Sequence, residues 1–532
     1  MVQDEVWLVV GLFTATVPLV ALARRVNIPY PVVLVLGGLV LGFIPGLPRI
    51  ELDPNLVLVI FLPPLLYWEA ITAPTDVMQA NAGQIWLLAT GLVIATTVTV
   101  AVVAHAAIAN LAWPMAFVLG AIVAPTDELA SAPVLERLKM PRHLIAIVQG
   151  ESLLNDAASL ILYGAALTVV TTGRFSVGRD ALLFVLAAGG GVVLGMVVAR
   201  VAVEGWRRVT DTQLQGVISL NLPYLTYILA QQIGLSSVLA VVYAGISANR
   251  FTPRVITPAA RLQVTGFWET LVFLANALLF LLVGLQLHEL AHVVLTEYSW
   301  QAVLWYALLV NATVVGTRFA WLMGQEYIPV IGGASEHPDG DWKHALVASW
   351  SGLRGAVSLA AALAIPMTVA SGAHLEHRNL IIFLTFSVIL VTLVGGGLTL
   401  PYVVRRLQIP DGSAEEEADL RRGILGMSAA ALGRIEQLEQ DGRLSPGDAL
   451  RLRRRHEHRR DHVEGHDDAE RGVKDAELEV IAAERTALID LRERGEIDNT
   501  ILRRLQRALD TSQERLNYIS DPSEESNPSD DH

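Results

Sequence analysis

The chain has 532 residues, of which 53% are hydrophobic and only 17% are charged. Soluble proteins contain about 25% charged residues, so this composition excludes a single soluble globular core. Cysteine is absent, which excludes disulfides, thiol catalysis and cysteine-based metal sites. We therefore expect an all-α, polytopic membrane protein.

Thirteen apolar segments follow one another through residues 1–410, and a helix of about 20 such residues crosses a bilayer. They lie at residues 5–23, 30–45, 54–71, 84–109, 113–135, 144–171, 181–203, 214–232, 235–249, 267–288, 298–325, 343–368 and 379–404. Residues 1–410 are thus predicted to form a transmembrane domain of about 13 helices.

Most of the net charge of −13 lies after the last apolar segment. Residues 411–532 contain 30 acidic and 19 basic residues, whereas residues 1–410 are nearly balanced, with 22 and 20. Apolar positions at helical spacing predict a cytosolic helical tail over 411–518, followed by a disordered acidic C-terminus at 519–532. The predicted tail helices are 415–441, 446–465, 467–494 and 496–518.

The tail has two interpretations. It is either a helical bundle that packs on itself or on a second copy, or a regulatory domain that responds to protons or a small ligand. His458, His462 and His466 recur at intervals of four residues, which would suit a metal or a proton sensor or equally a solvated helix face.

Basic residues in the connections predict the orientation, because they concentrate on the cytoplasmic side of a membrane. With the tail inside, thirteen spans place the N-terminus outside, and only Arg49, Arg174, Arg179 and Arg378 then face outward. The cytoplasmic set has fourteen members: Arg24, Arg25, Arg137, Lys139, Arg142, Arg200, Arg207, Arg208, Arg250, Arg254, Arg261, Lys343, Arg405 and Arg406. We expect a multi-pass protein of the cell (plasma) membrane.

A cleaved signal peptide is the alternative for the first segment, since residues 21–23 resemble a signal-peptidase site. However, Asp4 and Glu5 precede the apolar run while Arg24 and Arg25 follow it, the reverse of a signal peptide. An uncleaved first helix is favoured.

Several ionisable residues remain at membrane depth, where each costs about 2.5–3.5 kcal/mol or more. They are Glu69, Asp127, Glu128, Glu151, Asp156, Arg318 and Arg354. Such residues indicate either a functional site or buried ion pairs that join helices.

Two of the segments are predicted to be broken near mid-membrane. Pro125 interrupts segment 113–135, and Thr126 and Asp127 could cap the helix that resumes. Segment 343–368 contains Gly352 and Gly355, which ease unwinding. The two segments are seven spans apart, so they run in opposite directions, as in transporters with inverted repeats. Asp127 and Arg354 would compensate the opposed helix dipoles.

Between the breaks lies a polar stripe in segment 144–171. Ser152, Asn155, Asp156 and Ser159 share one helix face at i, i+3, i+4 and i+7. Their oxygen atoms suit a small hard cation, and the Asp156 carboxylate can bind either a cation or a proton. Competition of this kind is itself a mechanism of exchange.

The run Gly150-Glu151-Ser152-Leu153-Leu154-Asn155-Asp156, with Gly352-Leu353-Arg354-Gly355-Ala356 downstream, resembles the monovalent cation/proton antiporters of the Na+/H+ exchanger and NhaP type. The resemblance covers about residues 5–405. It implies two crossing broken helices, a dimerisation domain, a mobile core domain, a homodimer and elevator-like alternating access. It also implies that the role is pH and cation homeostasis. Membrane lipids are expected partners, and neither a cofactor nor a nucleic-acid partner is expected.

By this resemblance, Asp156 is the transported-ion carboxylate and Asn155 marks the electroneutral branch. Thr126 and Ser152 would add oxygen ligands, with Asp127 as a further ion-binding residue, while Glu151 and Arg354 would form a structural ion pair. Arg318 matches a family arginine, and Glu69 falls one position late for a family acid. The transported cation is expected to be Na+, with K+ or Li+ as alternatives.

Two other classes of membrane protein are alternatives to an antiporter. A proton- or cation-selective channel could use an oxygen-lined path, but broken helices at inverted positions favour alternating access. A membrane enzyme ranks lower because the spans contain neither a metal-spaced histidine cluster nor a nucleophile motif, and we expect no enzymatic activity.

Overall fold

A computed structural model describes the chain over residues 2–26, 28–44, 54–173, 177–327, 342–368, 374–409 and 412–463, with scattered residues between 480 and 512. Within these ranges the protein is helical, and the thirteen predicted segments correspond one for one to thirteen helical elements. The predicted all-α fold is confirmed.

The helices of the first unit that match a predicted segment are numbered in chain order, and the two broken ones are divided into a and b halves. They are α1 (Val2–Arg25), α2 (Tyr30–Gly42), α3 (Pro54–Thr72), α4 (Ala82–Ala107), α5a (Trp113–Val123), α5b (Glu128–Arg137), α6 (Arg142–Thr172), α7 (Val177–Arg208), α8 (Thr212–Ile233), α9 (Ser237–Val255), α10 (Pro258–Glu297), α11 (Trp300–Tyr327), α12a (Trp342–Trp350), α12b (Ala356–Leu363) and α13 (Arg378–Leu407). A further short helix, Thr75–Ala80, lies between α3 and α4.

Six of these helices are long and apolar enough to cross a membrane on length and composition alone. They are all or part of α4, α6, α7, α10, α11 and α13. Two of the six, α4 and α13, each widen into a π-helical turn, at Leu87–Leu92 and Val391–Gly396. Such turns often lie at functional sites because they free backbone groups from the regular ladder.

The helices pack into two groups. In the frame group, α2 lies along α10, and α9 lies against both α3 and α7. In the crossing group, α4 packs on α5a and α11, α5a packs on α6, and α11 packs on α12a and α13. The groups meet where α12b contacts α3 and where α13 contacts α10. Both broken helices therefore lie in the crossing group.

The α2–α10 contact is close enough to require glycine. A Cβ atom on Gly284 would lie 2.0 Å from the carbonyl oxygen of Val35, and one on Gly38 would lie 2.1 Å from that of Leu281. In a membrane, small residues let backbones approach and so replace the hydrophobic driving force that lipid cannot supply.

Some boundaries differ from the prediction. Segment 267–288 is the centre of the 40-residue helix α10, which begins after Thr257, whose side chain accepts from the backbone N–H of Ala260. Pro258 favours this early start because its fixed φ angle suits the first helical position.

The contacts divide the chain into Met1–Asp411 and Gly412–His532. In the second unit, α14 (Ser413–Gln440) and α15 (Pro446–Val463) form a hairpin in which Ile435 and Ala449 are buried. Three predictions for the tail fall outside the described residues, apart from scattered positions. They are the helices 467–494 and 496–518, the disordered end 519–532, and the side chains of the three spaced histidines.

The close contact between α2 and α10 predicts that Gly284→Ala destabilises the protein. The added methyl overlaps backbone atoms that cannot rotate away, so we expect a loss of about 1–3 kcal/mol, measured as a lower melting temperature in detergent. Gly266→Ala is the control in the same helix, because its Cβ would meet nothing within 4 Å. Equal melting temperatures for the two variants would refute the glycine contact.

Candidate functional site

The two broken helices cross at their breaks and are joined there by backbone. The Asp127 N–H donates to the Leu353 carbonyl over 2.7 Å, and the Asp127 Oδ2 atom accepts from the Ala356 N–H over 3.1 Å. Asp127 belongs to the break in the fifth segment, and its carboxylate therefore caps the N-terminus of α12b in the other broken helix. A Cβ on Gly355 would lie 1.5 Å from Asp127 Oδ2, so this position admits only glycine.

The C-terminal ends of the half-helices at the crossing are met by arginines. Arg354 donates from Nε to the carbonyl of Val123, the last residue of α5a, over 3.2 Å, and from Nη1 to the carbonyl of Gly352. Arg318 of α11 donates to the Ala348 carbonyl near the end of α12a, over 3.2 Å from Nε and 2.8 Å from Nη2. A cation at a helix C-terminus and an anion at an N-terminus both stabilise the dipole, as predicted for Arg354 and Asp127.

Glu151 is paired with Arg318 rather than with Arg354. Its Oε2 atom accepts from Arg318 Nη2 over 2.9 Å, and its Oε1 atom accepts from Nη1, which makes the pair bidentate. Both side chains are 2% exposed. The predicted ion pair between Glu151 and Arg354 is wrong, because the partner of Glu151 is Arg318 and the guanidinium of Arg354 donates to backbone carbonyls. Arg354 remains an electrostatic neighbour of Glu151.

The polar stripe of α6 faces the break in α5. Ser152 donates to the Thr126 carbonyl over 2.8 Å and accepts from the Glu128 N–H over 3.2 Å, so it caps α5b. Asn155 donates from Nδ2 to the Thr126 hydroxyl over 2.9 Å, and Ser159 donates to the Ala121 carbonyl over 2.8 Å. These bonds fix α6 against the loop that replaces the missing helical turn.

Asp156 lies at the same depth but faces a small cavity. Its side chain shares the lining with Glu69 of α3, with Thr126 and Asp127 of the α5 break, and with Ser358 of α12b. The volume is about 10 Å³, room for about one water-sized particle. Asp156 and Glu69 are buried, and the Oε2 atom of Glu69 makes no hydrogen bond within the part of the chain that the structure describes.

The position of Ser152 differs from the one predicted for an oxygen ligand. Ser152 is absent from the cavity lining, and its hydroxyl is committed to the loop at Thr126 and Glu128. Arg318, named only as a possible site residue, belongs to the ion pair that braces α6 against α11.

Sequence reasoning missed two groups of this site. Ser358 follows the second break at the third position of α12b, and Thr392 lies in the π-helical turn of α13, where its hydroxyl accepts from the Arg354 N–H over 3.2 Å. Neither carries a charge, so neither stood out against the apolar segments. Glu69, which falls one position late for the family acid, does line the cavity.

The donor set decides what the cavity can hold. Carboxylate, hydroxyl and carbonyl oxygens are the ligands that small hard cations prefer, and a buried carboxylate can instead take up a proton. Several acids surround one space, so electrostatic repulsion favours occupation by a positive charge of either kind.

The bidentate pair predicts strong coupling between Glu151 and Arg318. Either Glu151→Gln or Arg318→Met leaves a buried charge without its partner, which costs about 3–5 kcal/mol, and the double variant should cost clearly less than the sum. The melting temperatures in detergent of the unaltered protein, the two single variants and the double variant measure this double-mutant cycle. The exposed pair of Glu204 and Arg208 is the control and should couple by about 0–1 kcal/mol. Additive losses at the buried pair would show that the two side chains do not interact.

Comparison with known proteins places this site in a family. The transmembrane sodium/hydrogen exchanger family matches residues 11–406. A protein of Mycobacterium tuberculosis described as an uncharacterized Na(+)/H(+) exchanger is 34% identical over 96% of this chain and 95% of its own length. A sodium, potassium, lithium and rubidium/H(+) antiporter of Bacillus pumilus is 32% identical over 73% of this chain and 61% of its own length.

A solved structure shows the same fold. The sodium proton antiporter MjNhaP1 from Methanocaldococcus jannaschii superposes with a TM-score of 0.60 at 19% identity, covering 76% of this chain and 99% of that one. With the family match over residues 11–406 and the mycobacterial relative, these findings show that the chain belongs to the sodium/hydrogen exchanger family.

Proposed function

We propose that this protein is a secondary active antiporter that exchanges a monovalent cation for protons by alternating access. Na+ is the first candidate cation, with K+ and Li+ as alternatives. The observation that carries the proposal is the Asp156 carboxylate, which lines a small cavity of ion size where two broken helices cross.

Exchange follows from competition at this carboxylate. Asp156 binds a cation when it is ionised and cannot do so when it is protonated, so loading one substrate displaces the other. Its neighbour Asn155 has no charge to titrate and is committed to the Thr126 hydroxyl. One carboxylate that alternates between one proton and one cation gives an electroneutral cycle.

The other site residues serve in three ways. Thr126, Asp127 and Glu69 supply further oxygens around the cavity. Ser152 and Asn155 hold Thr126 in place. Glu151, Arg318 and Arg354 stabilise the carbonyl ends of the broken helices and act on the ion only through that structure.

Alternating access requires the cavity to open to each side in turn. The crossing group carries most of the lining, while Glu69 belongs to the frame group, so movement of one group against the other would open the cavity. We propose a homodimer in the plasma membrane, with the N-terminus outside and the tail in the cytoplasm. Its role would be pH and cation homeostasis.

A channel is the weaker alternative. A conducting path runs through the whole membrane, whereas the cavity beside Asp156 is small and admits about one particle. The relatives described as exchangers or antiporters also support coupled exchange.

Asp156→Asn tests the proposal directly. The substitution keeps the shape of the side chain and removes the titratable charge, so cation-dependent proton movement in proteoliposomes should disappear while expression and melting remain near normal. Na+, K+ and Li+ should each be tested. In the unaltered protein, the half-saturating Na+ concentration should rise as the pH falls, because protons occupy the same carboxylate.

The control is Glu204→Gln, which removes an exposed carboxylate from the end of α7 and should leave exchange unchanged. Substantial Na+-dependent proton flux in the Asp156→Asn variant would exclude Asp156 as the carrier. Proton flux that needs no counter-cation in the unaltered protein would instead support a channel.

Truncation separates the tail from transport. Every residue that lines the cavity precedes residue 410, so a chain that ends at Pro410 should still exchange cations for protons. If the tail regulates the protein by responding to protons or a small ligand, it acts by biasing the inward- and outward-facing states, and its removal should shift the pH profile. Matched amounts of both proteins should be assayed at several pH values. If the truncated protein is folded and dimeric but inert, the tail is needed for transport and the separation is wrong. If the pH profiles of the two proteins superimpose, the tail does not regulate transport.

A further inference from the structure

We infer that Ser358 is a cation ligand that sets the cation preference of the site, an inference that rests on the proposed exchange function. Ser358 lines the cavity together with Asp156 and Glu69, and its side chain is 2% exposed. It would bring the second broken helix into direct contact with the ion.

Among the residues that the structure describes, none makes a hydrogen bond with the hydroxyl of Ser358. Several other buried hydroxyls in the spans donate to the carbonyl four residues earlier, as Ser349 does to Ala345 over 2.7 Å and Thr385 does to Ile381 over 2.9 Å. Ser358 is the third residue of α12b, so the residue four positions earlier is Arg354, which precedes the helix. The break therefore leaves this oxygen without its usual local partner.

The other hydroxyl in the lining is already engaged. Thr126 accepts a hydrogen bond from Asn155, and its own hydroxyl is directed to Glu151 over 3.4 Å. Asp127 Oδ2 accepts from the Ala356 N–H. Ser358 thus offers a neutral oxygen that costs no existing bond when it turns to a cation.

A buried hydroxyl without a partner is unfavourable, and a cation in the cavity would satisfy it. The acids of the lining attract any positive charge, a proton included, but a neutral oxygen at a fixed distance distinguishes between cations by size. Loss of this oxygen should therefore affect cations of different radius unequally.

The test compares Ser358→Ala, Ser358→Cys and Ser358→Thr with the full-length protein in proteoliposomes. Ser358→Ala should raise the half-saturating Na+ concentration about tenfold or more, as expected for one lost contact to a charge. The effect on K+ should be smaller, because the deletion enlarges the space. Ser358→Thr keeps the hydroxyl and should keep the Na+ dependence of the unaltered protein. Ser358→Cys should resemble Ser358→Ala, because a thiol suits hard cations poorly.

Ser349→Ala is the matched control, since its hydroxyl is also buried in the twelfth segment but bonds within its own helix. A second readout, the rise in melting temperature on adding Na+, reports binding without transport. The rise should shrink in Ser358→Ala and Ser358→Cys and remain in Ser349→Ala and Ser358→Thr.

The outcomes are distinguishable. Active protein whose Na+ and K+ dependence is unchanged by Ser358→Ala and Ser358→Cys would overturn this inference alone. An unaltered protein without cation-dependent proton exchange would overturn the proposed function. If one variant does not fold, the remaining variants and the melting shifts decide the question.

Discussion

The need to satisfy helix ends inside a membrane governs this structure. Two interrupted helices expose N–H and C=O groups at a depth where water cannot reach them, and each unsatisfied group costs several kcal/mol. Asp127 meets one N-terminus, and Arg354 and Arg318 meet two C-terminal ends. Glu151 then neutralises Arg318. Asp127 also lines the cavity beside Asp156, so the group that caps one helix end forms part of the site.

The supporting and exchanging groups have different surroundings. Glu151 is locked in a bidentate pair, so its charge is committed to architecture. Asp156 has no ion pair among the residues that the structure describes, and lies where acids converge. Two carboxylates five residues apart on α6 therefore have different chemical freedom, which matches a division between a brace and a carrier.

Much of this could be predicted from the sequence. Apolar runs located all thirteen elements, and Pro125, Gly352 and Gly355 marked both breaks, because each signal is local. The ion pair was assigned wrongly because Arg318 and Arg354 are chemically alike, and only three-dimensional positions distinguish them. Ser152 was placed on the correct face, but that face contacts both the loop and the cavity, and spacing along one helix cannot separate them. Ser358 was missed because a serine in an apolar helix usually bonds to its own backbone.

The small volume of the cavity has a consequence for water. A space with room for about one particle cannot admit a cation together with its hydration shell, so nearly all of that shell must be left outside. Entry of each cation releases ordered water to the bulk, and departure takes it up again on the other side. Each loading step would therefore carry a hydration entropy, and the temperature dependence of cation loading would differ from that of proton loading at the same carboxylate.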